Sequence, residues 1–180
     1  VWLDALTTYI TGIGYDCDGE NSEQFKKDWI DTFGLDEEAN IEEIYENIKL
    51  PRRATAGSAG YDFFAPVRLI LAPGETIKIP TGIRVEMEPE WVLKCYPRSG
   101  LGFKYRLQLN NTVGIIDSDY FYSDNEGHMF SKITNDTNEE KTIDIAQGEG
   151  FMQGIFVEYG ITLDDDVTDV RNGGFGSTTK

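Results

Sequence analysis

The chain is poor in residues that build covalent or metal-held scaffolds. It has two cysteines, Cys17 and Cys95, and one histidine, His128, in 180 residues. Two distant thiols make no disulfide framework and no metal-ligand spacing, so a reduced, cytoplasmic protein is expected. The lone histidine, following a polar stretch, is expected as a solvated strand-edge residue, and with the cysteines it makes no catalytic triad. No apolar run approaches the roughly 20 residues needed to cross a bilayer, and no charged-then-apolar secretion signal opens the chain. No membrane partner is expected. Basic residues are scarce as well: 16 Lys and Arg stand against 32 Asp and Glu, a net charge of −16. Binding along a nucleic-acid backbone relies on Lys and Arg displacing counterions, so that acidity argues against a nucleic-acid partner. A small anionic substrate remains compatible if a divalent cation accompanies it.

What is present fits a globular chain. Its 39% apolar and 12% aromatic residues suffice for one domain with a real core and a small appendage. Residues 1–50 hold 3 basic and 13 acidic side chains and so carry −10 of the net charge. Asn21 with Gln24, and Asn40 with Glu43, have capping-box spacing. Phe25, Trp29, Ile30 and Phe33 then share a helical face up to Gly34; Ile41, Ile44, Tyr45 and Ile48 share another up to Pro51. This N-terminal segment is expected to be partly helical and packed by those faces on the following domain. Residues 9–16 read as a strand weakened by two glycines.

From residue 60 the apolar period becomes two, as in Ile77, Ile79, Ile83, Val85 and Met87. Turn signals recur every 8–12 residues, which predicts an all-β barrel or sandwich over 51–163. Residues 122–128 and 135–141 read as polar loops. The tail 164–180 is acidic, then glycine-rich and aperiodic, and is expected to be mobile when empty.

Five segments stand out in order: AGYDFFA (59–65), PRSGLG (97–102), NNTVGIIDSDY (110–120), GEGFMQG (148–154) and RNGGFGSTT (171–179). Singly, each has a plain reading. Asp117 is a turn aspartate, Asn111 a β-turn residue, PRSGLG a common loop and RNGGFGSTT a disordered tail. The last is no Walker A loop, because no Lys follows a glycine at the required place. Together they suit metal-assisted chemistry at a phosphate, carried on strand ends and loops. A carboxylate beside Ile115 and Ile116 lies near apolar surface and needs a hydrogen bond or a metal. PRSGLG sets a hydroxyl and two glycines beside an arginine, so backbone N–H groups can approach phosphate oxygens.

The order and spacing of these segments resemble the trimeric dUTPase family, of bacterial or phage type, over residues 48–179. The stretch IKLPRRATAGSAGYD (48–62) resembles that family's first strand. The resemblance implies a jelly-roll β-barrel, Mg²⁺ as cofactor, hydrolysis of dUTP to dUMP and diphosphate, and a homotrimer with shared active sites. Such an activity keeps uracil out of DNA and supplies dUMP for dTMP synthesis. By the same resemblance Asp117 is the catalytic base that activates water, and Asp119 supports the site by pairing with Arg98. Tyr120 packs under the deoxyribose, where a 2′-hydroxyl would clash. Asn111 and the backbone as far as Gly114 read uracil: fixed N–H and C=O groups match its edge, while cytosine leaves buried groups unpaired. Arg98, Ser99, Gly100 and Gln153 serve the phosphate side. Asp62 acts near the metal and its waters, the metal being held mainly by substrate phosphates. In the tail, Arg171 clamps the terminal phosphate, Phe175 stacks on the base, and Gly176, Ser177 and Thr178 complete a closing lid.

The chain departs from the family pattern at several places. Arg171 precedes Phe175 by four positions where five is familiar, and FYSDNE separates Tyr120 from Gly127 as an inserted loop. Gly148-Glu149-Gly150 replaces Gly-Asp-Arg, and the helical segment 20–50 is an addition. Two other readings stand beside the hydrolase. A dCTP deaminase relative shares the barrel but needs a glutamate context that IIDSDY does not supply. A regulatory module would recruit a protein partner through residues 20–47 or 121–127.

Overall fold

Alternating burial along short strands sets the architecture. The computed structural model describes residues 10–12 and 47–174. The helices expected from Asn21 to Pro51 lie outside the described residues except for 47–50, which are a turn and irregular chain, and the site residues Phe175, Gly176, Ser177 and Thr178 also lie outside them. In chain order the first strands are β1 (Ile10–Gly12), β2 (Arg52–Arg53), β3 (Tyr61–Phe64), β4 (Leu69–Leu71), β5 (Thr76–Pro80), β6 (Ile83–Val85) and β7 (Trp91–Pro97). A helix α1 (Ser99–Tyr105) follows, then β8 (Leu107–Leu109), β9 (Gly114–Asp117), a 3-10 helix (Ser118–Tyr122), β10 (Phe130–Asn135), β11 (Ile143–Ile145) and β12 (Gly150–Glu158). The fold is mainly β, as the period-two pattern predicts, and its strands form the jelly-roll type of barrel.

Among the described residues every strand pairing is antiparallel. The largest sheet runs β2-β3-β12-β7-β9, a second runs β5-β10-β8, and β11-β4 and β1-β6 are two-stranded. The β4–β11 pair shows how pattern becomes packing. Leu69 and Leu71 face Ile145 and Ile143 in register, all four buried, while Ile70 and Asp144 point outward. On that outer face Arg68 grips Asp144 with two bonds of 2.9 and 2.6 Å. The wider core is filled by Phe63, Ile79, Leu93, Ile133 and Phe151, each almost completely buried.

Asn135 clasps two sheets. It is fully buried, and its amide donates to the carbonyls of Leu71 and Lys141, both at 2.9 Å. Its own N–H reaches Glu75 O at 3.0 Å, and Gly74 N–H reaches its carbonyl at 2.8 Å. Of the strand expected over 9–16, the described part is Ile10–Gly12, which pairs Ile10 with Val85 along β6.

Three expectations are corrected. PRSGLG is not an open loop: after Arg98 the chain turns into α1 and leaves it at Arg106, in the left-handed region with φ 52°. Leu101 and Tyr105, four apart on one helical face, pack against the core and outweigh the weak helix propensity of Gly100 and Gly102. The stretch 122–128 is not merely a solvated loop, since Ser123 and His128 are buried. His128 is only 2% exposed, and its Nε2 accepts the Gly82 N–H at 3.1 Å. It is a satisfied interior residue because the inserted loop folds over it. No helix among the described residues is long and apolar enough to cross a membrane.

Candidate active site

A cleft of about 460 Å³ opens where β9, the preceding hairpin and β10 meet. One wall is the 109–114 turn. Thr112 N–H bonds Leu109 O at 2.8 Å and Val113 N–H bonds Asn111 O at 2.7 Å. This geometry forces Thr112 to φ 66°, a costly conformation for a β-branched residue, which marks the turn as tightly determined. Asn110 fastens it to β10: its N–H reaches Lys132 O at 2.9 Å, and its Oδ1 accepts from Thr134 Oγ1 at 2.8 Å. Asn111 and Gly114 both line the cleft. Gly114 pairs with Cys95 so closely that an added Cβ would meet the Cys95 Cβ at 3.1 Å.

Asp117 ends β9 at the rim of the cleft with its side chain 46% exposed, so it is less buried than its isoleucine neighbours imply. Tyr120 lies one 3-10 turn further on and is buried, with its ring on the cleft wall and its hydroxyl donating to His128 O at 2.8 Å. Apolar floor comes from Leu109, Met129 and Met152. Cys95 lies there too, and burial pushes its thiol up to about 12. The charged lining is mostly positive. Lys78 and Lys132 sit opposite each other across β5 and β10, and Lys78 Nζ stands 4.0 Å from the centre of the Phe130 ring. Motif spacing does not reveal these two lysines, because only strand register makes them neighbours.

The tail returns into this cleft. Residues 164–170 are exposed and without helix or strand, but Arg171 is docked. Its Nη2 pairs with Asp117 Oδ2, its Nε donates to Asp119 Oδ1 at 2.8 Å, and its Nη1 reaches Gly173 O at 3.3 Å. Gly174 follows against the Tyr120 ring, so close that a Cβ would lie 2.7 Å from Cε2. Asp119 therefore pairs with Arg171 and not with Arg98. Arg98 is taken by Asp62, Nε to Oδ1 at 3.2 Å, because β3 and β12 carry Asp62 to the end of β7.

The remaining predicted residues gather there, outside the cleft lining. Gln153 is in register with both Asp62 and Tyr96, and its amide lies 3.4 Å from Pro97 O. Missing side chains make room: a Cβ on Gly60 would strike Gln153 Oε1 at 2.6 Å, and one on Gly150 would strike Arg98 Nη1 at 2.8 Å. Ser99 and Gly100 open α1 beside this group, and their N–H groups precede the first helical bonds, which Leu101 and Gly102 make to Arg98 O. One chain thus carries two groups: Asn111, Gly114, Asp117, Tyr120 and Arg171 around the cleft, and Asp62, Arg98, Ser99, Gly100 and Gln153 apart from it.

A tightly determined turn, an aromatic wall and a half-exposed carboxylate beside three cationic side chains make this a β-barrel protein with a concave pocket of small-ligand size. Comparison narrows this class. Residues 46–179 match the family model described as dUTPase. The chain is 44% identical over 139 residues to the deoxyuridine 5′-triphosphate nucleotidohydrolase of Lactococcus lactis, covering 74% of this chain and 91% of that protein. It is 40% identical over 141 residues to the enzyme of the same name from Escherichia coli, covering 74% and 89%. The crystal structure of dUTPase from Streptococcus mutans superposes with a TM-score of 0.57 at 37% identity, covering 65% of this chain and 90% of that one. The chain belongs to the dUTPase family.

Proposed function

We propose that this chain is a dUTP diphosphatase, converting dUTP and water to dUMP and diphosphate. The observation that carries the reading is the meeting of Asn111, Gly114, Asp117 and Tyr120 in one cleft of a dUTPase-family fold. The 109–114 turn holds uracil's edge, and the Tyr120 ring lies under the deoxyribose. Asp117 accepts a proton from water as the water oxygen attacks the α-phosphorus. The bond from that phosphorus to the α–β bridging oxygen breaks, and diphosphate leaves with the electron pair. Arg98, Ser99, Gly100 and Gln153 receive the phosphates from their separate group. Arg171 exchanges its carboxylate partners for the terminal phosphate as Phe175, Gly176, Ser177 and Thr178 close over the nucleotide.

Mg²⁺ fits this donor set as a cation carried by the substrate. Among the described residues no three His, Cys, Asp or Glu side chains form a cage, and Mg²⁺ typically keeps its waters and binds through substrate phosphates. Asp62, with its side chain 14% exposed and ion-paired to Arg98, would hold the ion's water shell. When bound, the ion supplies positive charge at the phosphoryl oxygens. Asp119 supports the site by holding Arg171 close to it.

The separation of the two groups on one chain supports a homotrimer in which each site combines groups from different subunits, with the tail from 164 as the lid. Sedimentation should then give three times the 20.3 kDa chain mass; a monomer would contradict that arrangement. The function itself is tested by a nucleotide panel with Mg²⁺. Diphosphate should appear from dUTP far faster than from dTTP, dCTP or UTP. Ammonia release from dCTP would establish a deaminase instead, and inertness toward every nucleotide would favour a protein-binding module.

A further inference from the structure

The six residues that interrupt the third motif, FYSDNE (121–126), form a built structure behind Tyr120. Arg84 of β6 stacks its guanidinium 3.6 Å from the centre of the Phe121 ring and donates from Nη2 to Phe121 O at 3.0 Å. The loop then folds back sharply. Ser123 N–H reaches Tyr120 O at 3.1 Å, Glu126 N–H reaches Ser123 O at 2.7 Å, and Glu126 and Gly127 adopt φ of 58° and 74°. At Gly127 any side chain is excluded, because a Cβ would lie 2.7 Å from the Phe121 Cα.

This fold delivers one side chain to the rear of the tyrosine. Asn125 Nδ2 stands 2.9 Å from the Tyr120 hydroxyl and 3.1 Å from His128 O, so its two hydrogens serve both. Asn125 Oδ1 lies 2.8 Å from Ser123 Oγ, which is also 2.6 Å from Tyr120 O; the single hydroxyl proton is shared between two acceptors. That contact sets which end of the Asn125 amide faces the tyrosine. Tyr120 is thereby gripped at its carbonyl by Ser123 and at its hydroxyl by Asn125, while its ring faces the cleft. A yielding pocket rejects an added hydroxyl weakly, by roughly a hundredfold, so strong discrimination against ribose needs a wall that does not give way.

We propose that Asn125, oriented by Ser123, is a positioning residue that fixes the Tyr120 ring and thereby sets the preference for deoxyribose over ribose. The inference rests on the dUTP reading above. The Asp124 N–H also bonds Asn172 O at 3.2 Å, but through backbone alone, so changes at 123 and 125 leave that link to the tail in place.

The test is kcat and KM for dUTP and for UTP in wild type, Asn125→Asp, Asn125→Ala and Ser123→Ala. Asn125→Asp keeps the size but turns a donor into a carboxylate oxygen facing His128 O. The ratio of kcat/KM for dUTP to that for UTP should fall about tenfold, through improved use of UTP, with kcat for dUTP within about threefold of wild type. Ser123→Ala should move the ratio the same way by less. An unchanged ratio in folded Asn125 variants overturns the proposal; if neither folds, Ser123→Ala decides on the same ratio. Wild type inert toward dUTP would overturn the functional reading instead. The positioning role is then judged on the Tyr120 ring ¹³C resonances, which must shift in Asn125→Asp, or in Ser123→Ala if that variant does not fold; unshifted resonances overturn it.

Discussion

Replacing Asp117 by asparagine removes a charge and a proton acceptor while keeping the side chain's shape. The backbone at Asp117 is extended, φ −80° and ψ 156°, and asparagine adopts it equally well. With the side chain 46% exposed, the fold forgoes little beyond the ion pair to Arg171. Exposed pairs contribute about 0–1 kcal/mol, and a chain of this size loses about 2–4 °C of melting temperature per kcal/mol. The variant should therefore melt within about 4 °C of wild type. Arg171 keeps its 2.8 Å bond to Asp119, so the tail retains one anchor in the free protein. Catalysis should respond on another scale. Loss of a general base typically slows the chemical step ~10²–10⁴-fold, or ~2.7–5.5 kcal/mol on the barrier. Diphosphate release at saturating dUTP and Mg²⁺ measures kcat, and calorimetry with a non-hydrolysable analogue measures binding. The expected pattern is intact folding and binding with kcat lowered at least about a hundredfold. A folded variant with kcat within about tenfold of wild type would refute Asp117 as the base.

Asn135→Ala leaves the buried Leu71 carbonyl and the part-buried Lys141 carbonyl without their donor, at an expected cost of about 2–4 kcal/mol. Thermal melting should fall by roughly 5–15 °C, and a fall below about 2 °C would mean that water replaces the amide. Cys95 should resist thiol reagents at pH 8, because burial raises its ionisation to about 12. An unfolded thiol ionises near 8.5, so the unfolded state loses that proton first and stability falls as pH rises from there toward 12. Between pH 8 and 10 the wild type should lose about 2 kcal/mol more than Cys95→Ala in denaturant titrations, and parallel curves would refute it.

Much of the fold is legible in single stretches of sequence. Leu69–Leu71 and Ile143–Ile145 each show buried, exposed, buried alternation, and a strand needs no distant information to present two faces. The helix at Ser99 is not legible this way, since two glycines in seven residues hide it and only the core contacts of Leu101 and Tyr105 stabilise it. His128 escapes for the same reason. A polar neighbourhood in sequence became a buried one in space when FYSDNE folded over it. Of the candidate site, the residue types were readable but their pairings were not. Asp119 and Asp62 are both carboxylates within reach of an arginine, and nothing local says which arginine each receives.

The order of five segments was enough to identify a dUTPase-family chain and its β class, because spacing between motifs and period-two burial are properties of the linear chain. Tertiary structure decided the rest. Register across β3, β12 and β7 sent Asp62 to Arg98 and left Asp119 for Arg171. Register across β5 and β10 set Lys78 opposite Lys132 at the cleft. The fold of the inserted loop put Asn125 on the Tyr120 hydroxyl. Ion pairs and hydrogen bonds act over a few ångströms, and residues tens of positions apart come within that range only when strands pair and the chain packs.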